Sequence, residues 1–271
     1  MQMSISFQYG KKVTILKIQY SIILSALRAG INTRLEQVRQ SLTLFKGSIK
    51  MYYNVKGPFM KITINKLAKI YNSKKVFSSI SWQPEPGKCN LVTGPNGSGK
   101  STLLRLICGL EKPSAGSIKI TFNNDELSVS EIRKVTGLVT PDLALYRHLT
   151  ARENMLFFAK LGGSFPTEKE LCEILVKVGL AGSIDYPLAV FSTGMKQRLK
   201  LAYAIFHEPA LLLLDEPNTN LDDEGKIVVN SIISEYKSKS MVIIATNDQE
   251  EVRQYGENIL FLDKCSKCNS N

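Results

Sequence analysis

Nine consecutive residues, Gly94-Pro95-Asn96-Gly97-Ser98-Gly99-Lys100-Ser101-Thr102, combine three glycines with a lysine and hydroxyl side chains. Their spacing fits G-x-x-x-x-G-K-[S/T]. The glycines let successive backbone N–H groups turn inward and approach an anion without a Cβ in the way. Lys100 offers a positive charge to phosphate oxygens, and Ser101 offers a hydroxyl to a divalent cation. The apolar run Cys89–Thr93 precedes this loop, and a helical pattern over Ser101–Leu110 follows it. The positive end of that helix therefore faces the same anion.

A second group of residues completes the chemistry. Leu211-Leu212-Leu213-Leu214-Asp215-Glu216 reads as a buried strand that ends in two adjacent carboxylates. The carboxyl end of a strand is where ligands of open α/β sheets bind. Together with the phosphate loop, the pair makes a hydrolytic centre for a nucleoside triphosphate. Asp215 would hold Mg²⁺ directly or through water, and Glu216 would orient or deprotonate the attacking water.

The surrounding pattern supplies the elements such a centre needs. Lys61–Leu67 alternates apolar and polar residues as a half-buried strand does, and Val76–Trp82 repeats the alternation. Pro84–Gly87 marks a turn, and Pro113–Gly116 closes the first helix. Helices are predicted at about Ala151–Lys160 and Thr167–Val178, the first capped by Thr150 with Glu153 completing a capping box. Met241–Ala245 is a further continuous apolar run of buried-strand length. No internal repeat is visible, so the chain carries one nucleotide-binding domain.

Charge divides the chain. Residues 1–59 hold nine Lys/Arg and one acid, Glu36, while the remainder holds 26 bases and 23 acids. The basic excess is thus an N-terminal property, which removes most of the support for a nucleic-acid partner. The run Ile18–Leu27 is shorter than the roughly 20 residues a membrane span needs. Residues 1–59 read as a basic extension ahead of a domain over 60–263, and 264–271 as a polar tail. Five scattered cysteines favour free thiols in a reducing compartment. Cys265 and Cys268 form a C-x-x-C within the tail, with no second pair to make a metal site.

Between the two halves of the centre lies Phe191-Ser192-Thr193-Gly194-Met195-Lys196-Gln197-Arg198. It resembles the signature motif of ABC ATPases, with Thr-Gly at the second pair and Met195 at the position of the terminal Gln. Asn218-Thr219-Asn220-Leu221-Asp222 resembles the D-loop of that family, and Tyr71 resembles the aromatic on which adenine stacks. The resemblance covers about Met60 to Asp263. It implies an α/β fold of the P-loop NTPase, ABC type: a mostly parallel sheet core, an N-terminal antiparallel β subdomain, and a helical insert at about 141–197. It implies ATP and Mg²⁺ as ligands. It also implies a second ATPase subunit, identical or not, docked head to tail, so that Ser192 and the Gly194 N–H complete the phosphate cage in trans.

Two positions depart from the family pattern. Aligning Gly137-Leu138-Val139-Thr140-Pro141-Asp142 with the Q-loop places Pro141 where Gln contacts Mg²⁺ and water, so that contact is absent or falls to Asp142. Asn247 stands at the position of the switch His; it can hydrogen-bond a phosphate but cannot change charge near neutral pH. His148 and His207 lie elsewhere. The resemblance implies a hydrolytically competent but slow ATPase subunit of a transporter. It would sit on the cytoplasmic face of the membrane and drive a separate transmembrane permease. Small export-type members are most similar, such as the haem exporter ATPase of cytochrome c maturation and the ABC-2 type exporters. The segment Leu143–Asn154 resembles the region that receives the permease. Two other readings stay open: a nucleotide-gated regulatory module with little hydrolysis, kept alive by Pro141 and Asn247, and a non-transport ABC ATPase acting on nucleic acid.

Overall fold

A computed structural model describes residues 60–263. The N-terminal extension over 1–59 and the tail with Cys265 and Cys268 lie outside the described residues. In chain order the elements are β1 (Met60–Tyr71), β2 (Lys74–Trp82), β3 (Cys89–Thr93), α1 (Lys100–Ile107), β4 (Ala115–Phe122), β5 (Asp125–Glu126), α2 (Val129–Val135) and β6 (Thr136–Val139). There follow α3 (Ala151–Leu161), α4 (Glu168–Lys177), 3₁₀ turns at Ala181–Ser183 and Leu188–Val190, and α5 (Thr193–Ile205). The chain then alternates: β7 (Leu211–Asp215), α6 (Asp223–Lys237), β8 (Met241–Thr246), α7 (Gln249–Tyr255) and β9 (Asn258–Phe261).

The strands form two sheets of opposite character. β2-β1-β4-β5 is antiparallel, and β6-β7-β8-β3-β9 is parallel. Sequence pattern explains the split. In β1, Met60, Ile62 and Ile64 are buried while Lys61 is exposed, as befits a sheet with one wet face. β3, β7 and β8 are buried along their full length, because helices cover a parallel sheet on both sides. The core joins this sheet to α5, α6 and the helical segment before α5.

Register brings the chemistry to one edge. Thr93 at the end of β3 pairs with Thr246 at the end of β8, and Asp215 at the end of β7 pairs with Ala245. The loop after β3, the carboxylates after β7 and Asn247 after β8 therefore leave the sheet side by side.

Most predicted elements stand within a few residues of the expected bounds. Thr150 caps α3 through Glu153 in the expected reciprocal box: the Glu153 N–H donates to Thr150 Oγ1 at 3.1 Å and the Thr150 N–H to Glu153 Oε2 at 2.8 Å. Helix α1 stops at Ile107, short of Leu110, because Gly109 takes a positive φ of 71° that ends the helical path. Gly116 lies inside β4 and does not close that helix. β4, β5, α2 and β6 are not predicted from the sequence. β5 has two residues, β6 four and α2 seven, each too short to show a period. Among the described residues Cys89, Cys108 and Cys172 are free thiols, as expected.

One close approach sets where α5 sits. A Cβ on Gly137 in β6 would lie 2.1 Å from the Ala204 carbonyl oxygen of α5 and 2.9 Å from Pro209 Cγ. The backbone of α5 rests directly on β6 there. Gly137→Ala is therefore expected to destabilise the fold by roughly 1–3 kcal/mol, the usual cost of overpacking a closed contact. Urea unfolding measures this, and an unchanged midpoint would show that α5 can move away freely.

Candidate functional site

The cradle is built from backbone geometry. Gly94 has φ 145°, and a Cβ there would sit 2.1 Å from the Leu262 carbonyl oxygen. That oxygen belongs to the strand-exit segment whose Leu262 N–H donates to the Thr93 carbonyl at 2.7 Å. Only glycine fits between them. Gly97 and Gly99 also take positive φ, and Gly99 starts α1 without any side-chain cap. The first-turn N–H groups of α1, at Lys100, Ser101 and Thr102, thus face the loop with no acid among them. Ser98 is fully buried, and its hydroxyl has no hydrogen-bond partner. Lys100 is 6% exposed and donates from Nζ to the Gly94 and Pro95 carbonyls at 2.9 and 3.4 Å. A ring of N–H donors, an orphaned hydroxyl and a buried ammonium fits a chain of phosphates.

Asp215 is 1% exposed, and its Oδ2 has no partner. Burial pushes its carboxyl pKa up. The Ser101 hydroxyl, bonded to it, opposes that shift, the neighbouring Glu216 charge adds to it, and Lys100 and Arg105 oppose it further. A dry carboxylate oxygen beside a hydroxyl is the donor set of a hard divalent cation, so Ser101 and Asp215 fit Mg²⁺. Glu216 takes φ 49°, a left-handed conformation that a non-glycine residue adopts at a cost on the order of 1 kcal/mol. Its N–H is held by the Ala245 carbonyl at 2.8 Å. The two adjacent acids have different surroundings: Asp215 is buried, whereas Glu216 is partly exposed and its Oε2 lies 3.5 Å from the Thr219 hydroxyl. Gln197 of α5 reaches the same turn, placing Nε2 3.4 Å from the Glu216 carbonyl oxygen.

Asn247 donates from Nδ2 to Asn96 Oδ1 at 2.7 Å. The segment after β8 and the loop after β3 are thereby joined by an amide pair that sequence spacing does not reveal, the two residues being 151 apart. Tyr71, at the end of β1, is 40% exposed, with its hydroxyl bonded to the Glu111 carboxylate.

The loop after β6 is held from two sides. Pro141 and Asp142 are both exposed. The Asp142 carboxylate is ion-paired with Arg105 of α1, and Lys200 of α5 donates to the Pro141 and Thr140 carbonyls at 2.6 and 3.3 Å. Asp142 is therefore engaged by Arg105. Neither Arg105 nor Lys200 belongs to a recognisable motif, and each lies distant in sequence from the residue it holds. Ser192 caps α5, accepting from the Met195 N–H at 3.1 Å, and is exposed. Gly194 lies against the Asn220 carbonyl and Leu221. Among the described residues neither Ser192 nor Gly194 hydrogen-bonds with the loop over 94–102; α5 presents its N-terminus to solvent. His148 and His207 are exposed, on the loop before α3 and after α5.

The dry carboxylate of Asp215, with Oδ2 partnerless and only the Ser101 hydroxyl bonded to it, has a consequence for stability. With its folded-state pKa raised above the unfolded value, its contribution is present at low pH and lost as pH rises through the folded pKa. At neutral pH the ionised form opposes folding. Asp215→Asn, which keeps the shape and removes the charge, is expected to stabilise the protein without nucleotide at pH 7 by on the order of 1 kcal/mol. A lower denaturation midpoint than wild type would mean that attraction to Lys100 outweighs desolvation.

Comparison with known proteins agrees with this geometry. The ABC transporter family profile matches residues 77–219. The lantibiotic transport ATP-binding protein SrtF of Streptococcus pyogenes is 34% identical over 202 residues, covering 74% of this chain and 86% of that protein. The cytochrome c biogenesis ATP-binding export protein CcmA of Vibrio vulnificus is 31% identical over 189 residues, covering 70% and 92%. Among solved structures, an ATP-binding subunit of an ABC transporter superposes with a TM-score of 0.64 at 25% identity, covering 76% of this chain and 88% of that one. A dimeric ATP-binding cassette in a post-hydrolysis state, bound to ADP and phosphate, matches with the same TM-score and identity over 76% and 97%. The chain belongs to the ABC transporter family, as an ATP-binding and ATP-hydrolysing subunit.

Proposed function

We propose that this subunit uses ATP binding and hydrolysis to drive an export-type ABC transporter through a separate transmembrane permease, working as one half of a head-to-tail ATPase dimer. The observation that carries the dimer is the exposed N-terminus of α5, where Ser192 and Gly194 stand apart from the chain's own cradle. A second subunit facing this one would receive that end over its own nucleotide. A relative named for export in cytochrome c biogenesis supports the direction of transport, and one named for lantibiotic transport supports the transport role. No helix among the described residues is long and apolar enough to cross a membrane, which fits a peripheral subunit on the cytoplasmic face. Leu143–Asn154, which holds Asn154 buried against the Tyr146 backbone, is the segment assigned to the permease.

Within the ATPase domain, assigned to 60–263 with its helical insert at about 141–197, each residue has a distinct task. The backbone from Gly94 through Thr102 would surround the phosphates, with N–H groups from Asn96, Gly97, Ser98 and Gly99 as donors and Pro95, which has no N–H, shaping the turn. Lys100 would exchange its carbonyl acceptors for phosphate oxygens, a charge-assisted bond in a dry site. Ser101 and Asp215 would hold Mg²⁺, which when bound neutralises charge on the phosphates. Tyr71 would stack on adenine. Glu216, turned off the strand by its left-handed backbone, would accept a proton from the attacking water. Asn247, already tied to Asn96, would donate to the departing phosphate without gaining or losing charge.

The missing titratable switch and the missing Gln at Pro141 make turnover slow. In the full chain, Glu216→Gln is expected to lower ATP turnover by about 10²-fold or more, the usual contribution of a general base. Asn247→His is expected to raise it and to introduce a pH dependence between 6 and 7, around the ordinary histidine pKa. Phosphate release assays across pH measure both. Equal turnover by wild type and Glu216→Gln would remove Glu216 as the base, and a slower, pH-independent Asn247→His would show that the amide bridge to Asn96 is the working arrangement.

A further inference from the structure

Tyr71 does not stand alone at the end of β1. Its hydroxyl is bonded to the Glu111 carboxylate, and the Lys69 ammonium lies 4.5 Å from the centre of its ring. Lys69 also pairs with Glu111 at 3.0 Å and donates to the Lys112 carbonyl at 2.9 Å, while its side chain is only 11% exposed. Burial opposes ionisation of Glu111, but the Tyr71 hydroxyl and the Lys69 ammonium outweigh it and hold its carboxyl below the usual range. Glu111 in turn is fixed to the helix of the phosphate cradle: its N–H and that of Leu110 donate to the Arg105 carbonyl of α1 at 3.2 and 2.9 Å. The ring is thus tied to the same helix whose first turn faces the phosphates, through the Glu111 carboxylate and through a hydrogen bond of its hydroxyl with Thr102.

We propose that Lys69 and Glu111 are positioning residues that fix the Tyr71 ring at a set distance and angle from the phosphate cradle, so that the base of the nucleotide contributes to affinity. The proposal rests on the reading of Tyr71 as the residue that stacks on the base. The physical argument has two parts. A tyrosine at a strand end that is 40% exposed would otherwise sample several rotamers, and ordering it on binding would weaken the stack. The hydroxyl bond and the ion pair order it beforehand. In addition, the ammonium over one face draws π density away from the other, which favours an electron-rich purine there.

Calorimetric titration of the full chain with ATP and with inorganic tripolyphosphate, both with Mg²⁺, tests this. Tripolyphosphate reaches the cradle but carries no base. Tyr71→Leu is expected to weaken ATP about tenfold, within the range for one stacked base. Glu111→Ala and Lys69→Met are each expected to weaken ATP about threefold to fivefold. Affinity for tripolyphosphate should hold in all three. Adding Glu111→Ala to Tyr71→Leu should cause no further loss, and Glu111→Gln, which retains an acceptor for the hydroxyl, should recover part of it. Thermal unfolding of each variant identifies any that fails to fold, and Lys69→Met then stands in for Glu111→Ala. If Tyr71→Leu weakens ATP but neither Glu111→Ala nor Lys69→Met does, the brace is overturned and the base platform survives. If Tyr71→Leu leaves ATP affinity unchanged, both are overturned. An equal loss for tripolyphosphate in the brace variants would assign Lys69 and Glu111 to the cradle itself and overturn the proposal.

Discussion

Two opposite charges kept out of water at the end of a parallel sheet govern this molecule. Lys100 and Asp215 are 6% and 1% exposed; the ammonium is held by neutral carbonyls alone, and Asp215 Oδ2 has no partner. Desolvating such groups costs several kcal/mol each unless they are paired and hydrogen-bonded. The sheet carries that cost through its apolar strands: β3, β7 and β8 are buried over their whole length on either side of the site. The β7–β8 and β3–β8 registers then fix where the charges emerge. A slip of one residue would carry Asp215 to the opposite face of its strand and leave the cradle without its carboxylate.

Around this centre, the connections that link it to the rest of the domain are polar and long-range. Gln197 joins α5 to the Glu216 turn, Lys200 joins α5 to the loop at Pro141, and Arg105 joins α1 to Asp142. The helix whose N-terminus carries Ser192 is therefore tied to the carboxylate turn directly. It is tied to the cradle helix α1 through the loop at 140–142. A displacement of α5 changes both contacts at once. This is a physical route by which docking of the proposed second subunit at the exposed end of α5 would reach Glu216.

The sequence was most readable where chemistry demands fixed local spacing. The loop from Gly94 to Thr102 must alternate glycine with donors, and the carboxylates must follow an apolar strand; both patterns are contiguous and both stand in the fold as expected. The cap at Thr150 is equally local. What stayed hidden depends on tertiary placement. Glu111 lies 40 residues from Tyr71, and Asn96 lies 151 from Asn247. No periodicity relates such pairs, because they meet only once the sheet has set its strand order. β5 and β6 escaped notice for a different reason: two and four residues cannot display an alternation. The left-handed Glu216 also had no local signal, since only glycine or asparagine usually announces that conformation.

The two departures from the family pattern share one physical feature: each replaces a side chain able to respond to the nucleotide with one fixed by the protein. Pro141 offers no donor, and the adjacent carboxylate is committed to Arg105. Asn247 cannot titrate, and its amide is committed to Asn96. A group already bonded must exchange a partner before it can help, so the gain from meeting phosphate is only the difference between two hydrogen bonds. Lys100 and Asp215 exchange less: the lysine holds neutral carbonyls, and one Asp215 oxygen, Oδ2, holds nothing. Under the proposed roles, binding energy would be concentrated on the residues that would touch phosphate and metal. The residues that would sense the γ-phosphate would contribute little, an arrangement that would favour tight nucleotide binding over rapid turnover.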